Sequence, residues 1–129
     1  MTGGQGRKEK NMTLKECYAA MGANYDEVIS RLRSERMVQK FVLKFLDDGS
    51  YRLLLDSMAS GDYPEAFRAA HSIKGVCQNL AFAKLQESSS ALTESLRSGL
   101  SPEAPALLEQ VKADYESTVS AIRALQASL

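Results

Sequence analysis

The chain is poor in the residues on which much protein chemistry relies. Among its 129 residues are one histidine, no tryptophan, two cysteines and three prolines. One histidine argues against a histidine-built metal centre, since such a site needs three or four ligands. Cys17 and Cys77 are lone thiols without metal-ligand spacing, and Cys77 falls on an apolar helix stripe as a small core residue. There is no excess of either charge: lysine plus arginine and aspartate plus glutamate number 16 each. A nucleic-acid binder normally carries a basic surplus, so nucleic acid is not an expected partner. No apolar run is long enough to span a bilayer and no signal peptide is visible, which predicts a cytoplasmic protein without a membrane partner. No glycine-rich loop is present to cradle phosphates, so an ATP site within the chain, and with it autophosphorylation, is not expected.

What is present points to helices. Alanine, leucine, glutamate, lysine, glutamine and arginine are plentiful and aromatics make up only 7%, which favours an all-α fold in one domain. Residues 1–11 are polar and basic, and Met1-Thr2-Gly3-Gly4-Gln5 resembles the phage-derived leader of expression tags. This segment is read as disordered, with Met12 as a candidate start. Thr13 predicts a capped helix ending at Gly22, and Asn24 a second, with Asp26 and Glu27 in its first turn and Arg31 and Arg33 in its last. These two form an N-terminal helical extension over 12–33. A helix from Ser34 carries Met37, Val38, Phe41, Val42 and Phe45 on one face. Asp47-Asp48-Gly49-Ser50 then stops it and caps a helix carrying Leu53, Leu54, Leu55 and Met58. The segment 84–98 places Leu85, Ser89, Leu92 and Leu96 at heptad spacing, although three consecutive serines weaken its intrinsic propensity. After Ser101-Pro102, with Pro105 delaying the regular part, Leu108, Val111, Tyr115, Thr118, Ile122 and Leu125 run at four-three spacing. The pattern predicts an antiparallel four-helix bundle over about 50–127, with the 34–47 helix covering one end.

The histidine lies in the remaining helix, predicted from an Asp62 cap with Pro64 in the first turn and Glu65 completing a capping box. Ala66, Ala70, Ile73, Cys77 and Leu80 make its buried stripe. At about 100° per residue, His71 points about 160° away from Ile73, and Phe67, Arg68, Lys74, Gly75 and Gln78 all fall within about 60° of it. A lone helical histidine is ordinarily solvated and inert. No nucleophile and acid stand locally with it as a hydrolytic triad requires.

The surrounding residues give this histidine a context. His71-Ser72-Ile73-Lys74-Gly75 resembles the His-x-Ile/Leu-Lys-Gly signature of histidine-containing phosphotransfer (HPt) domains. Phe41-Val42-Leu43-Lys44-Phe45-Leu46-Asp47-Asp48 looks like that family's opening helix, Gly61-Asp62 and Ala70 stand at its turn and at the alanine before its histidine, and Leu85, Leu92 and Leu96 match its following helix. The resemblance covers about 34–98, and the domain it implies covers 34–127. One position departs: where the family usually ends the helix with glycine, this chain has Ala81, which implies either a different cap or a slightly longer helix. The resemblance implies a phosphorelay intermediate, a carrier and not an enzyme, that accepts a phosphoryl group on His71 from a receiver-domain aspartyl-phosphate and passes it to another receiver aspartate. Lys74 and Gln78 would stabilise the phosphoryl group, and Phe67, Arg68 and Gly75 would dock the receiver. No cofactor is expected in this chain, Mg²⁺ coming with the receiver. The implied partners are response-regulator receiver domains and a hybrid histidine kinase. Two other readings are a phosphoacceptor module cut from a larger hybrid or chemotaxis-type kinase, and a helical adaptor in which His71 is inert.

Overall fold

A computed structural model describes residues 11–129, so the reading of residues 1–11 as a disordered leader lies, but for Asn11, outside the described residues. Seven α-helices are formed among them: α1 (Leu14–Met21), α2 (Tyr25–Leu32), α3 (Glu35–Lys44), α4 (Ser50–Ser60), α5 (Tyr63–Leu80), α6 (Ala83–Ser95) and α7 (Ala104–Ala127), with a 3-10 turn, Phe45–Asp47, continuing α3. No strand occurs among the described residues. Helices α4 to α7 pack in sequence, α4 on α5, α5 on α6 and α6 on α7. Their short connections make neighbours antiparallel. Tyr51 stacks on Tyr115 with centroids 3.6 Å apart, joining the first helix of this bundle to the last. The fold is the expected all-α helical bundle.

Local chemistry sets the boundaries, and in places it differs from the expected chemistry. Thr13 accepts from the Glu16 amide at 3.0 Å while the Glu16 carboxylate accepts from the Thr13 amide at 2.9 Å, a reciprocal box that opens α1. Asn24 and Ser34 cap α2 and α3 through single side-chain bonds. At α5, Asp62 accepts from the Glu65 amide at 3.2 Å. The Glu65 carboxylate does not close a box there, because it pairs with Arg68 one turn on. Ser50 is the first residue of α4 and not its cap, and its amide donates to Asp48 Oδ1 at 2.8 Å. Arg33 lies beyond the last turn of α2, in the left-handed region at φ 63°. Helix α6 stops at Ser95, short of Ser98, and α7 begins at Ala104 with Pro105 in its first turn. There the missing N–H costs little. The serines of α6 are accommodated by back-bonding: Ser89 Oγ donates to the Leu85 carbonyl at 2.7 Å, and Thr93 Oγ1 to the Ser89 carbonyl at 2.7 Å.

The N-terminal helices belong to the same core. Cys17, Tyr18 and Val28 are fully buried with the bundle residues. Helix α1 lies on α7, where Cys17 Sγ donates to the Ala121 carbonyl at 3.5 Å. A chain of ring contacts crosses this end of the molecule: Tyr25 to Tyr18, Tyr18 to Phe82, Phe82 to Phe45, Phe45 to Tyr115, and Tyr115 to Tyr51. Each such pair contributes about 0.5–1.5 kcal/mol beyond the area it buries. The chain therefore ties α1 and α2 to α4, α6 and α7.

Burial pushes the Cys17 thiol up to about 11 and the Cys77 thiol up to about 12. Both are free and buried. Their folded pKa values are raised, so above the ordinary thiol value of about 8.5 the unfolded chain binds fewer protons than the folded one. Stability is then fully present below that value and is lost as pH rises toward the folded values, by up to about 1.4 kcal/mol per pH unit per thiol. Urea midpoints measured between about pH 8 and 11 should fall steadily above about 9. A flat profile would mean that the thiols ionise equally in both states.

Candidate functional site

Helix α5 is built as a rigid support. Ala66, Ala69, Ala70, Ile73, Cys77 and Leu80 are its buried residues, and the three alanines allow α4 and α6 to approach closely. Its far end is closed at Ala81, which takes the left-handed conformation (φ 59°, ψ 38°) usually left to glycine. The Phe82 amide donates to the Cys77 carbonyl at 2.9 Å and the Ala81 amide to that of Gln78 at 3.4 Å, the bonding pattern of a Schellman motif. The helix thus stops where a glycine would have stopped it and does not run on. A left-handed alanine costs about 1–2 kcal/mol, and neighbouring contacts fix it in place. The Asn24 amide donates to the Ala81 carbonyl at 2.8 Å, and Tyr18 Oη donates to the Leu80 carbonyl at 2.7 Å. Arg31 Nη1 donates to the carbonyls of Gln78 and Asn79 at 2.6 and 2.9 Å, placing a cation at the negative end of the helix dipole. The N-terminal helices therefore hold the C-terminal end of the histidine helix.

On the opposite face His71 is exposed, as are Arg68 and Gln78, while Phe67, Lys74 and Gly75 are half-buried. Five of the six predicted residues, His71, Phe67, Lys74, Gly75 and Gln78, share this face. The sixth, Arg68, lies at the edge of the same face, in an ion pair with Glu65. The imidazole lies nearly parallel to the Phe67 ring, with an interplanar angle of 8° and centroids 6.1 Å apart. Among the described residues no hydrogen bond joins the imidazole to Lys74 or Gln78. A methyl group at Gly75 would meet no atom within 4 Å. The bundle's own packing therefore does not require glycine there.

Two residues of this surface escaped the sequence reading. The Arg97 guanidinium lies 5.2 Å from the Phe67 ring centroid. It is held by Glu94 in a forked pair, Nε to Oε1 at 3.1 Å and Nη2 to Oε2 at 2.7 Å. That hydrogen bond holds the Glu94 carboxyl below the usual carboxylate range, and nearby Lys74 and His71 act in the same direction. The signal that finds them is the helix hairpin. The α5–α6 hairpin brings the end of α6 back to the first half of α5, so Arg97, just past the end of α6, meets Phe67, and Glu94, one turn earlier, comes near His71.

Beside the C-terminal half of α5, helices α2 and α3 leave a groove of about 390 Å³ floored by Leu32, Phe41, Val76 and Leu80. Among the described residues no three histidine, cysteine or carboxylate side chains gather as a metal site, and no helix is long and apolar enough to cross a membrane.

No curated protein and no solved structure matches the chain. The family model of the Hpt domain matches residues 26–121, from the start of α2 through most of α7, with the histidine helix at the centre of the match. A helical bundle displaying one exposed imidazole opposite a buried stripe is thus matched over most of its length, and the chain belongs to the Hpt domain family, the phosphoryl carriers of histidine phosphotransfer in phosphorelays.

Proposed function

We propose that this protein is a phosphorelay intermediate in which His71 takes a phosphoryl group from an aspartyl-phosphate on a response-regulator receiver domain and passes it to another receiver aspartate. The observation that carries this reading is the position of the chain's sole histidine, exposed on the face of α5 that the core does not use. A neutral imidazole keeps a nucleophilic lone pair on one ring nitrogen. That ring nitrogen attacks phosphorus. The N–P bond forms as the P–O bond to the aspartate breaks, and the bonding pair leaves on the carboxylate. The ring's remaining N–H proton is released to water, and the return transfer reverses these steps. Mg²⁺ held by the receiver offsets charge on the phosphoryl oxygens. This chain contributes a positioned nucleophile and a docking face. Phe67 and Arg68 border the imidazole on that face, and Gln78, two turns on, is a hydrogen-bond donor for the phosphoryl oxygens.

The test is to mix the protein with receiver domains phosphorylated by acetyl phosphate and look for acid-labile, base-stable label on this chain. A panel of receivers that yields no such label points instead to an adaptor in which His71 is inert.

Lys74, one turn from His71, offers a charge-assisted contact to the phosphoryl oxygens. The surface is open to solvent, so the effect is modest, about 1 kcal/mol or several-fold. Lys74→Ala should slow transfer or shorten the phosphohistidine half-life several-fold without altering the helical circular dichroism. Lys74→Arg should recover part of the loss, and both effects should shrink at high salt. Equal rates and half-lives in wild type and Lys74→Ala would leave Lys74 a solvated bystander.

A further inference from the structure

Near the imidazole stands an anion, which is an unexpected neighbour for a group destined to carry phosphate. Glu94 lies on α6 near enough to His71 and Lys74 for their charges to act on it, it is exposed, and its carboxylate already holds Arg97 in a two-pronged pair. Arg97 in turn lies against Phe67, whose ring is parallel to the imidazole. One cation and one anion are thus fixed beside the site from the end of α6 and the turn after it, and neither is needed by the core.

We propose that Glu94 is a counter-charge that sets how tightly the site holds a phosphoryl group. It occupies the Arg97 guanidinium while His71 is bare and opposes the phosphoryl group once it arrives. The proposal rests on His71 being the phosphoacceptor. A phosphoryl group on the imidazole presents oxygens that compete with the Glu94 carboxylate for Arg97 and for Lys74. Arg97 on a flexible side chain can exchange one anionic partner for the other. Glu94 itself cannot leave the surface, so its charge stays near the phosphoryl oxygens and raises the free energy of the phosphorylated state. A relay carrier has to surrender what it accepts. A neighbouring carboxylate keeps the phosphohistidine from becoming a trap, while Lys74 and Arg97 keep it from being lost too fast. Glu94 acts through electrostatics and through Arg97, and takes no part in bond making.

The full chain provides the test. His71 is phosphorylated with phosphoramidate, whose P–N bond breaks with loss of ammonia as the new N–P bond forms. The donor is removed, and the phosphohistidine half-life is read by ³¹P NMR. The partition of label between His71 and a receiver-domain aspartate is then measured at equilibrium. Glu94→Gln should lengthen the half-life and shift the partition toward His71, each by about two- to five-fold, the range expected of exposed charges. Arg97→Gln should move both the other way. The effect of Glu94→Gln should be smaller in the Arg97→Gln background, because part of it is the release of Arg97. Glu109→Gln on α7, which removes the same charge from a carboxylate paired with Lys112 and not with the residues around His71, is the control and should change neither. A merely structural role would alter melting temperature without moving the partition. Glu94→Gln behaving like Glu109→Gln, or shifting label toward the receiver, overturns the proposal while leaving His71 as the acceptor. Failure of wild type to take phosphate from phosphoramidate and from every receiver overturns the phosphoacceptor reading and this inference with it.

Discussion

His71→Gln is expected to abolish phosphotransfer completely while the protein keeps its fold. Glutamine matches the size and polarity of the exposed side chain but has no nitrogen lone pair free for attack, since its amide nitrogen is conjugated. No other histidine exists to take over. The two thiols are poor substitutes, because both are buried and hold their protons far above neutral pH. The structural cost is small. His71 is exposed and among the described residues its ring contacts that of Phe67 alone, so the loss is within about 1 kcal/mol. Far-ultraviolet circular dichroism and the urea midpoint should stay near wild type, and label from a phosphorylated receiver should fall to background. Acid-labile label persisting on the His71→Gln protein would move the acceptor elsewhere, and loss of both fold and label would call for repeating the test with His71→Ala.

How far the sequence disclosed this molecule depends on where the governing physics lies. The stripe at Ala66, Ala70, Ile73, Cys77 and Leu80 is a property of one helix, and all five residues are buried as the period requires. The seam of α7 is less complete. Val111, Thr118, Ile122 and Leu125 are buried, but Leu108 and Tyr115 are only half so, while Asp114 and Ala121, outside the four-three series, are buried instead. Asp114 is accommodated by Gln110 Nε2 at 3.1 Å and by Lys84 Nζ at 3.8 Å, partners that a single-helix wheel does not reveal. The same limit applies to the site. The residues of α5 were found because they share a helix with His71. Glu94 comes from the next helix and Arg97 from the turn after it, and both become visible only once the hairpin register is fixed. Ala81 shows a further kind of limit. Local propensity disfavours its left-handed backbone, and the bonds that hold it come from Tyr18 and Asn24, in a stretch of sequence with no signature of its own.

Gly75 carries the second large expected effect, and its stability and function should move in opposite directions. It lies inside α5, where glycine costs about 1 kcal/mol relative to alanine. An added methyl group meets nothing within 4 Å, so Gly75→Ala should raise stability by about 0.4–1 kcal/mol, mainly by restricting the unfolded chain. A bundle that tolerates a side chain there and still has none points to an external constraint, the close approach of a docking partner to the turn after His71. Gly75→Leu or Gly75→Glu adds bulk one turn from the imidazole and holds the receiver's aspartyl-phosphate away from it. A misplacement of about 1 Å can cost about 100-fold in rate, so kcat/KM for receiver-dependent transfer should fall between about 10- and 100-fold. Phosphorylation by phosphoramidate, which needs no docking, should change far less. That contrast distinguishes a blocked interface from a damaged nucleophile. Receiver transfer at the wild-type rate in Gly75→Glu would show that the partner does not pack over this face, and equal losses with receiver and phosphoramidate would place the fault at His71 itself.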